Sequence, residues 1–386
     1  MTIIYALLGL LGLGFSSCDT KSKSENKKNK DMTDCYVWGP GACAPLLFPA
    51  ELRYAYFMFG EGQQYPVIYS IIGGGIGTGS SNASLNDLDG KMPLPYGFST
   101  LWFSKADRKV YGGDIFFSNE LKSQILEFFK TGYVRTITTD DGILYEQSNY
   151  TTYSLTMLPG GRILLHLTGL GRTVYLDTFQ CKEIHVTLEE MQLPYVTDAK
   201  TIDEHFEHAL KFDKYAPMLA YIKQHGIPTK LWDRYLEKFR YEIKIEFENE
   251  QTVIDPNYGY DFSNGEMFFN DDSVKVDSLA RIKDIIFAWN VADTVYTGHF
   301  YFNEDEVLEY FDKAYGKNRN QEGEFVIKVS KYNNWFDIFL RVDEKEYKFE
   351  KTQIHVFKVT PENKADDDHL YYWNYRGKEV TKFIGE

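Results

Sequence analysis

The stretch YSIIGGGIGTGSSN, from Tyr69 to Asn82, has the residue types of a phosphate-binding loop. A dinucleotide-binding loop needs G-x-G-x-x-G at the start of a helix, so that free amides and the helix dipole hold the pyrophosphate. Here the glycines alternate from Gly73 to Gly79, and turn-forming residues and prolines follow. A P-loop is excluded too, because no Lys-Ser or Lys-Thr pair follows the last glycine. We therefore predict a mobile loop between sheet strands, without a nucleotide.

A second group of residues with metal-ligand chemistry is the segment DEHFEH, which places His205 and His208 one helical turn apart beside Glu204 and Glu207. His205 borders an apolar stripe, and carboxylates suit the first turn of a helix. We interpret the segment as an amphipathic helix and predict neither a metal nor another cofactor. The sequence contains no G-x-S-x-G motif, which would place a serine nucleophile on a strand-to-helix turn, so no catalytic residue is predicted. Three further histidines are expected within strands, half-buried: His166, His185 and His355.

The amino terminus, MTIIYALLGLLGLGFSSCDT, has an apolar run from Ile3 to Leu13 that is too short to span a bilayer, followed by small residues before Cys18. This pattern predicts a bacterial lipoprotein signal peptide over residues 1–18, with Cys18 as the lipid attachment site. Residues 19–32 are polar and predict a charged, flexible tether. An ordinary secretory signal, or an apolar start to a soluble protein, remains the alternative.

A lipid anchor predicts a location in the bacterial cell envelope, on the inner or outer membrane and facing the periplasm or the cell surface. Because that compartment is oxidising, the sequence CYVWGPGAC predicts a disulfide between Cys35 and Cys43 across a Gly-Pro-Gly turn. Cys181 is then left over as a small buried side chain.

Composition limits the classes of partner and the number of domains. The chain has 386 residues, a net charge of −14 and an ordinary apolar fraction of 43%. Its length favours two domains. Its charge repels phosphate backbones, so we expect no nucleic-acid partner.

Hydrophobic patterning then predicts an α+β fold made of two tandem, divergent copies of one antiparallel sheet unit, each with one packed helix. Residues 98–130 (FSTLWFSKADRKVYGGDIFFSNELKSQILEFFK) and 285–313 (IIFAWNVADTVYTGHFYFNEDEVLEYFDK) both run strand, turn at Ala-Asp, strand, polar cap, helix. The predicted domains are 33–198 and 241–386. A helical connector over 199–240 joins them, and Thr201 with Glu204 predicts a capping box at its start.

Four segments carry a resemblance to a family: LPYGFSTLWFSKADRKVYGGDIFF, LTMLPGGRILLHLTG, DTFQCKEI and GIPTKLWDRYLEKFRYE. They resemble the bacterial lipoproteins catalogued as domain of unknown function 2931, from about Pro45 into the second copy. The matching positions are Leu94, Pro95 and Trp102; Pro159 to Gly161; Phe179 and Gln180; Gly226 to Pro228; and Leu231 to Asp233. Leu158 and Cys181 depart from the family pattern, which has alanine at both positions.

The resemblance implies an envelope lipoprotein without an assigned activity. Some family members are encoded next to secreted lipase effectors, which implies that those members are immunity proteins. Three hypotheses therefore stay open for this chain: a non-enzymatic protein-binding module, a carbohydrate-binding surface lipoprotein, and a hydrolase with an unrecognised site. Trp102 and Trp289 occupy corresponding positions of the two copies and alternate with apolar residues, so we expect both in the core rather than on a sugar-binding surface.

Overall fold

The computed structural model describes residues 34–67, 71–78, 91–139, 142–191, 193, 197–269, 278–363 and 369–386. The described chain is α+β and consists mostly of strands, as predicted. The helices are α1 (Asn119–Thr131), α2 (Leu188–Met191), α3 (Ile202–Leu210), α4 (Ala216–His225), α5 (Thr229–Leu236) and α6 (Glu304–Tyr315), and a 3₁₀ turn covers Asp213–Tyr215.

Two sheets face each other in the first half of the chain. The strands there are β1 (Cys35–Tyr36), β2 (Gly39–Cys43), β3 (Ala50–Phe59), β4 (Gln63–Pro66), β5 (Ile71–Ile72), β6 (Met92–Pro93), β7 (Gly97–Ser104), β8 (Lys109–Phe116), β9 (Tyr133–Thr139), β10 (Gly142–Ser148), β11 (Tyr150–Leu158), β12 (Arg162–Gly169), β13 (Arg172–Gln180) and β14 (Lys182–Glu183). One sheet has the order β14-β8-β7-β3-β4, and the other begins β2-β11-β12-β13. The Phe57 and Tyr153 rings, with centroids 5.4 Å apart, join the two sheets across the core.

The second half repeats this arrangement of strands. Its strands are β15 (Lys238–Phe239), β16 (Tyr241–Phe247), β17 (Thr252–Phe262), β18 (Met267–Phe269), β19 (Leu279–Ala280), β20 (Ile282–Val291), β21 (Thr294–Tyr301), β22 (Gly323–Val329), β23 (Phe336–Val342), β24 (Lys345–Lys348), β25 (Gln353–Val359) and β26 (Leu370–Trp373). A sheet with the order β16-β22-β23-β24 faces strands β17-β20-β21-β25-β26. Phe300 and Phe336, with ring centroids 5.2 Å apart, close this core.

Part of the strand order corresponds between the two halves. The first strand of each four-strand run is parallel to its neighbour, β2 to β11 and β16 to β22, whereas the following pairs are antiparallel. In each half a helix follows the second strand of a hairpin, α1 after β8 and α6 after β21. Side-chain caps start both helices, since Ser118 accepts from Leu121 N and Asn303 accepts from Glu306 N.

The halves nevertheless share one sheet and one core. Strand β13 pairs with β18 through Arg172–Phe268 and Thr173–Met267, which produces a continuous ten-stranded sheet. A single cluster of buried apolar residues extends over both halves. The connector contributes to this cluster through Trp232 of α5, which is 1% exposed.

The described part of the glycine-rich segment is packed between the halves, which corrects the prediction of a mobile loop. Gly75, Ile76 and Gly77 are buried, and Ile76 N donates to the carbonyl of Gly385 at 2.9 Å. Gly77 has a φ of +71°, and a Cβ there would lie 2.4 Å from the carbonyl oxygen of Gly265. The glycines therefore serve a close contact between two backbones rather than a phosphate.

Candidate functional site

The described residues include Cys35, Cys43 and Cys181. Cys18, the predicted lipid attachment site, lies outside them. The prediction of a disulfide between Cys35 and Cys43 is wrong, because Cys43 is a free, buried thiol. The cause is local structure: the Gly-Pro-Gly segment is the buried strand β2 instead of a turn, so the chain stays extended up to Cys43. Its Sγ lies 3.2 Å from Thr156 Oγ1 on the neighbouring strand. Cys181 is also a free, buried thiol.

The histidine of the DEHFEH helix is part of a buried charge cluster. His205 Nε2 lies 3.5 Å from both Lys105 Nζ and Glu51 Oε2, and Lys105 also bonds Glu51. Burial lowers the pKa of Lys105, and the adjacent Glu51 opposes that shift. The cluster ties α3 to strands β3 and β7. Among the described residues, no group of three or more His, Cys, Asp or Glu is arranged to hold a metal ion.

The other predicted histidines have different environments. His166 in β12 is fully buried rather than half-buried, and its Nε2–H donates to the carbonyl of Asn264 at 2.9 Å. Burial lowers the pKa of His166 to about 4. His185 is exposed and lies after β14, outside any strand, which corrects the prediction. His355 lies in β25 and is half-buried, as predicted.

His355 faces a polar cluster that the sequence reasoning did not identify. It pairs across the sheet with His299, whose Nδ1 accepts from Tyr301 OH at 2.7 Å and whose Nε2 lies 3.3 Å from Asp284 Oδ1. Burial raises the pKa of Tyr301 to about 12, so its hydroxyl stays protonated. Each of these histidine contacts is made to another group of the cluster. We therefore interpret the cluster as a network that stabilises the sheet.

One element belongs to neither of the large sheets: the hairpin formed by β9 and β10, which packs against β17 through β9. Its seven pairs run in continuous antiparallel register from Gly142–Thr139 to Ser148–Tyr133. In the described part of the chain neither strand pairs with a third strand. The sequence signal was present, because Asp-Gly between two runs of β-branched and apolar residues favours a hairpin.

Several large apolar side chains of the hairpin are exposed to solvent. Ile143 is 45% exposed, Leu144 57%, Tyr145 66% and Val134 43%. Since Val134 pairs with Gln147 and side chains alternate, Val134, Ile143 and Tyr145 share one face. The Arg135–Glu146 ion pair lies on the opposite face of the hairpin, whereas the face with Val134, Ile143 and Tyr145 has no charged residue in the two strands.

The same face continues into a groove at the base of the hairpin. The groove has a volume of about 650 Å³. Its lining includes Phe128, Tyr133, Val134, Gln147, Tyr150 and Arg172. The Arg172 guanidinium lies 5.3 Å from the centre of the Tyr133 ring and 5.1 Å from that of Phe268. Hairpin and groove together form one surface with mixed aliphatic and aromatic character, which we call the hairpin surface.

The fold is a β-rich α+β fold that carries an exposed hairpin outside its large sheets. The sequence profile of the family described as Protein of unknown function (DUF2931) matches residues 21–230. Because that range is more than half of the chain, the chain belongs to this family, as the resemblance indicated. The match ends within α5 and does not enter the second half, where the resemblance was expected to continue.

No curated protein and no solved structure matches the chain. Within the described residues, no helix is long and apolar enough to cross a membrane. Trp102 and Trp289 are both fully buried, as predicted, and neither contributes to an exposed surface.

Proposed function

We propose that this protein is a non-enzymatic protein-binding module of the bacterial cell envelope, and that it holds an extended segment of a partner along the hairpin surface. The observation that carries the proposal is a hairpin that pairs with no third strand among the described residues and that exposes Val134, Ile143 and Tyr145 on one face. The N–H and C=O groups along a strand edge are a template for a further strand. Main-chain bonds then supply affinity, and pockets for alternate side chains supply specificity.

The groove supplies such a pocket. An extended partner strand presents side chains to one face at every second residue. One apolar side chain of the partner would enter the groove lined by Phe128, Tyr133 and Tyr150, while its neighbours contact Ile143 and Tyr145. Aromatic and aliphatic anchors that become fully desolvated account for most of the binding energy in protein interfaces.

Site-specific photo-cross-linking in envelope and secreted fractions tests this proposal. A soluble form that begins near Asp31 carries the cross-linking amino acid at position 145 or, as a control, at position 212. Tyr145 and Phe212 are exposed to similar degrees, 66% and 64%, on different elements. We expect one protein to cross-link from position 145 only, and this cross-link to be lost in a Val134→Ser, Ile143→Ser variant, because both side chains share the face of Tyr145. Equal labelling from both positions, or none from either, contradicts the proposed surface.

The identity of the partner separates the finer alternatives. A lipase-type partner captured at position 145 would support an immunity role, which the family resemblance implies for some members. A partner of another class would support the binding function and remove the immunity role.

The location in the envelope rests on the amino-terminal sequence. We propose that Cys18 carries the lipid anchor and that residues 19–32 hold the folded part away from the membrane. Several acyl chains on one residue give stable attachment, at about 0.8 kcal/mol per buried methylene. The wild-type chain is expected in the detergent phase after phase partitioning, and the Cys18→Ala variant in the aqueous phase. A Cys18→Ala variant that stays in the detergent phase would show that another segment is the anchor.

We also propose that the two halves are divergent copies of one unit. The correspondence of β2-β11-β12-β13 with β16-β22-β23-β24 supports this, including the parallel first pair in each. The correspondence of β14-β8-β7-β3 with β25-β21-β20-β17 supports it further. The hairpin β9–β10 has no counterpart between α6 and β22, so it is an addition to the first copy. An addition of this kind is a natural place for a specific function.

A further inference from the structure

A second exposed surface, in the other half of the chain, consists of aromatic side chains alone. The turn between β22 and β23, with the sequence SKYNNW from Ser330 to Trp335, contains no aliphatic residue. Tyr332 is 71% exposed and Trp335 is 60% exposed. Large aromatic side chains in water are costly, so two of them within four residues require an explanation.

The core below holds the backbone of this turn in one conformation. Asn333 is buried, has a left-handed φ of +58°, and accepts a hydrogen bond from the indole Nε1 of Trp289 at 2.9 Å. Ser330 N donates to the carbonyl of Trp335 at 3.0 Å, which closes the turn. The two exposed rings therefore start from a fixed backbone, and binding loses little backbone entropy.

Polar groups surround the rings. The hydroxyl of Tyr371 donates to the carbonyl of Tyr332 at 2.9 Å, and Lys358 Nζ lies 5.1 Å from the centre of the Tyr371 ring. Lys331 and Asn334, which flank Tyr332 and Trp335 in the turn, are exposed. The turn thus exposes two aromatic rings together with the ammonium group of Lys331 and the amide of Asn334.

We propose that Tyr332 and Trp335 form a carbohydrate-binding site for β-linked pyranose units with equatorial hydroxyl or acetamido groups. In such sugars the axial C–H bonds form flat faces, and these carry partial positive charge that is attracted to the negative face of an aromatic ring. The equatorial groups point outward, where Asn334 and Lys331 can bond them. The hairpin surface differs in chemistry, since its exposed side chains include Ile143 and Leu144.

Tryptophan fluorescence of the full chain in detergent, titrated with cellohexaose and with chitohexaose, tests this site. Four of the six tryptophans are fully buried, namely Trp38, Trp102, Trp232 and Trp289, so a sugar-dependent shift reports on the two exposed ones. We expect at least one hexasaccharide to shift the emission of the wild-type chain. Affinities of the variants are measured by isothermal titration calorimetry, since Trp335→Ala lacks the reporter, and Trp335→Ala is expected to weaken binding by about tenfold or more. Tyr332→Ala is expected to weaken it too, whereas Tyr332→Phe keeps the stacking face and retains binding.

Trp373→Ala is the matched control, because Trp373 is also exposed, at 37%, but lies on β26 next to His355. It is expected to bind like wild type. Absence of a shift with both hexasaccharides up to about 10 mM would overturn the proposal, since weaker binding than that is not specific recognition. Wild-type affinity in Trp335→Ala, or a loss confined to Trp373→Ala, would overturn it as well. All variants are first compared with wild type by circular dichroism, and exposed substitutions are expected to keep the fold.

Discussion

At the scale of single residues, His166 makes the stability of the protein sensitive to acid. Burial lowers the pKa of its imidazole to about 4, whereas an unfolded histidine titrates near 6.5. The unfolded chain therefore takes up the proton first, and stability present above pH 6.5 is lost as the pH falls toward 4. The loss from this group amounts to about 3 kcal/mol at the lower end.

Urea unfolding between pH 7 and pH 4.5 measures this effect. In His166→Gln the amide can still donate to Asn264, so the fold is kept while the titrating group is removed. We predict a flatter pH dependence for this variant than for wild type. Parallel curves for the two proteins would assign the acid sensitivity to other groups.

Gly77 shows how one residue fixes the contact between the halves. Its φ of +71° is unfavourable for a side chain, and a Cβ would also lie 2.4 Å from the carbonyl of Gly265. We predict that Gly77→Ala lowers the free energy of unfolding by about 3 kcal/mol or more. Gly62 is the control: its φ is +86°, but a Cβ there meets nothing within 4 Å. Gly62→Ala is expected to cost only about 1 kcal/mol, from backbone strain alone. Equal losses, measured by urea denaturation, would contradict the role of the close contact.

At the scale of elements, the sequence predicted helices better than it predicted loops. The predicted cap at Thr201 is formed, since Glu204 N donates to Thr201 Oγ1 at 3.1 Å, but the box is not closed, because the Glu204 carboxylate accepts from Lys200 N instead of Thr201 N. Helical periodicity and caps are local, so they can be identified without knowing the fold. Strand β2 was missed because its Gly-Pro-Gly sequence favours a turn, and only its parallel partner β11 makes it a strand. The buried cluster around Lys105 was also missed, because it joins residues far apart in the chain.

The hairpin β9–β10 is the element where we propose that the partner binds, and among its described residues only Tyr133 belongs to the buried apolar cluster. We predict that replacing Arg135–Glu146 by Asn-Gly, which joins the paired residues Val134 and Gln147 through a tight turn, changes the free energy of unfolding by less than about 1 kcal/mol. The same deletion is expected to abolish partner capture. A large loss of stability would show that the hairpin is structural, and its exposed side chains would then need another explanation.

At the scale of the whole molecule, the order of strands repeats, yet the two halves are built to be interdependent. The first half ends its sheet at β13, whose pairing with β18 belongs to the second half. The carboxyl terminus returns to the first half, where Leu46 N donates to the carbonyl of Glu386 at 2.6 Å. Buried Arg281 bonds Glu237, at the end of the connector, and Asp312 of α6, so the connector is held to the second half.

These contacts give a prediction for separated halves. Residues 33–240 alone would expose the Arg172–Thr173 end of β13, the surface under Ile76 and the connector face that includes Tyr235, which contacts Glu304 and Phe383 in the full chain. An exposed strand edge beside a large apolar surface promotes aggregation. We therefore expect this fragment to be insoluble or to unfold well below the full chain in thermal melts, and to be rescued by co-expression with residues 241–386. If the fragment instead melts cooperatively at the temperature of the full chain, the first half is an autonomous domain. Its stability would then not depend on the sheet that it shares with the second half.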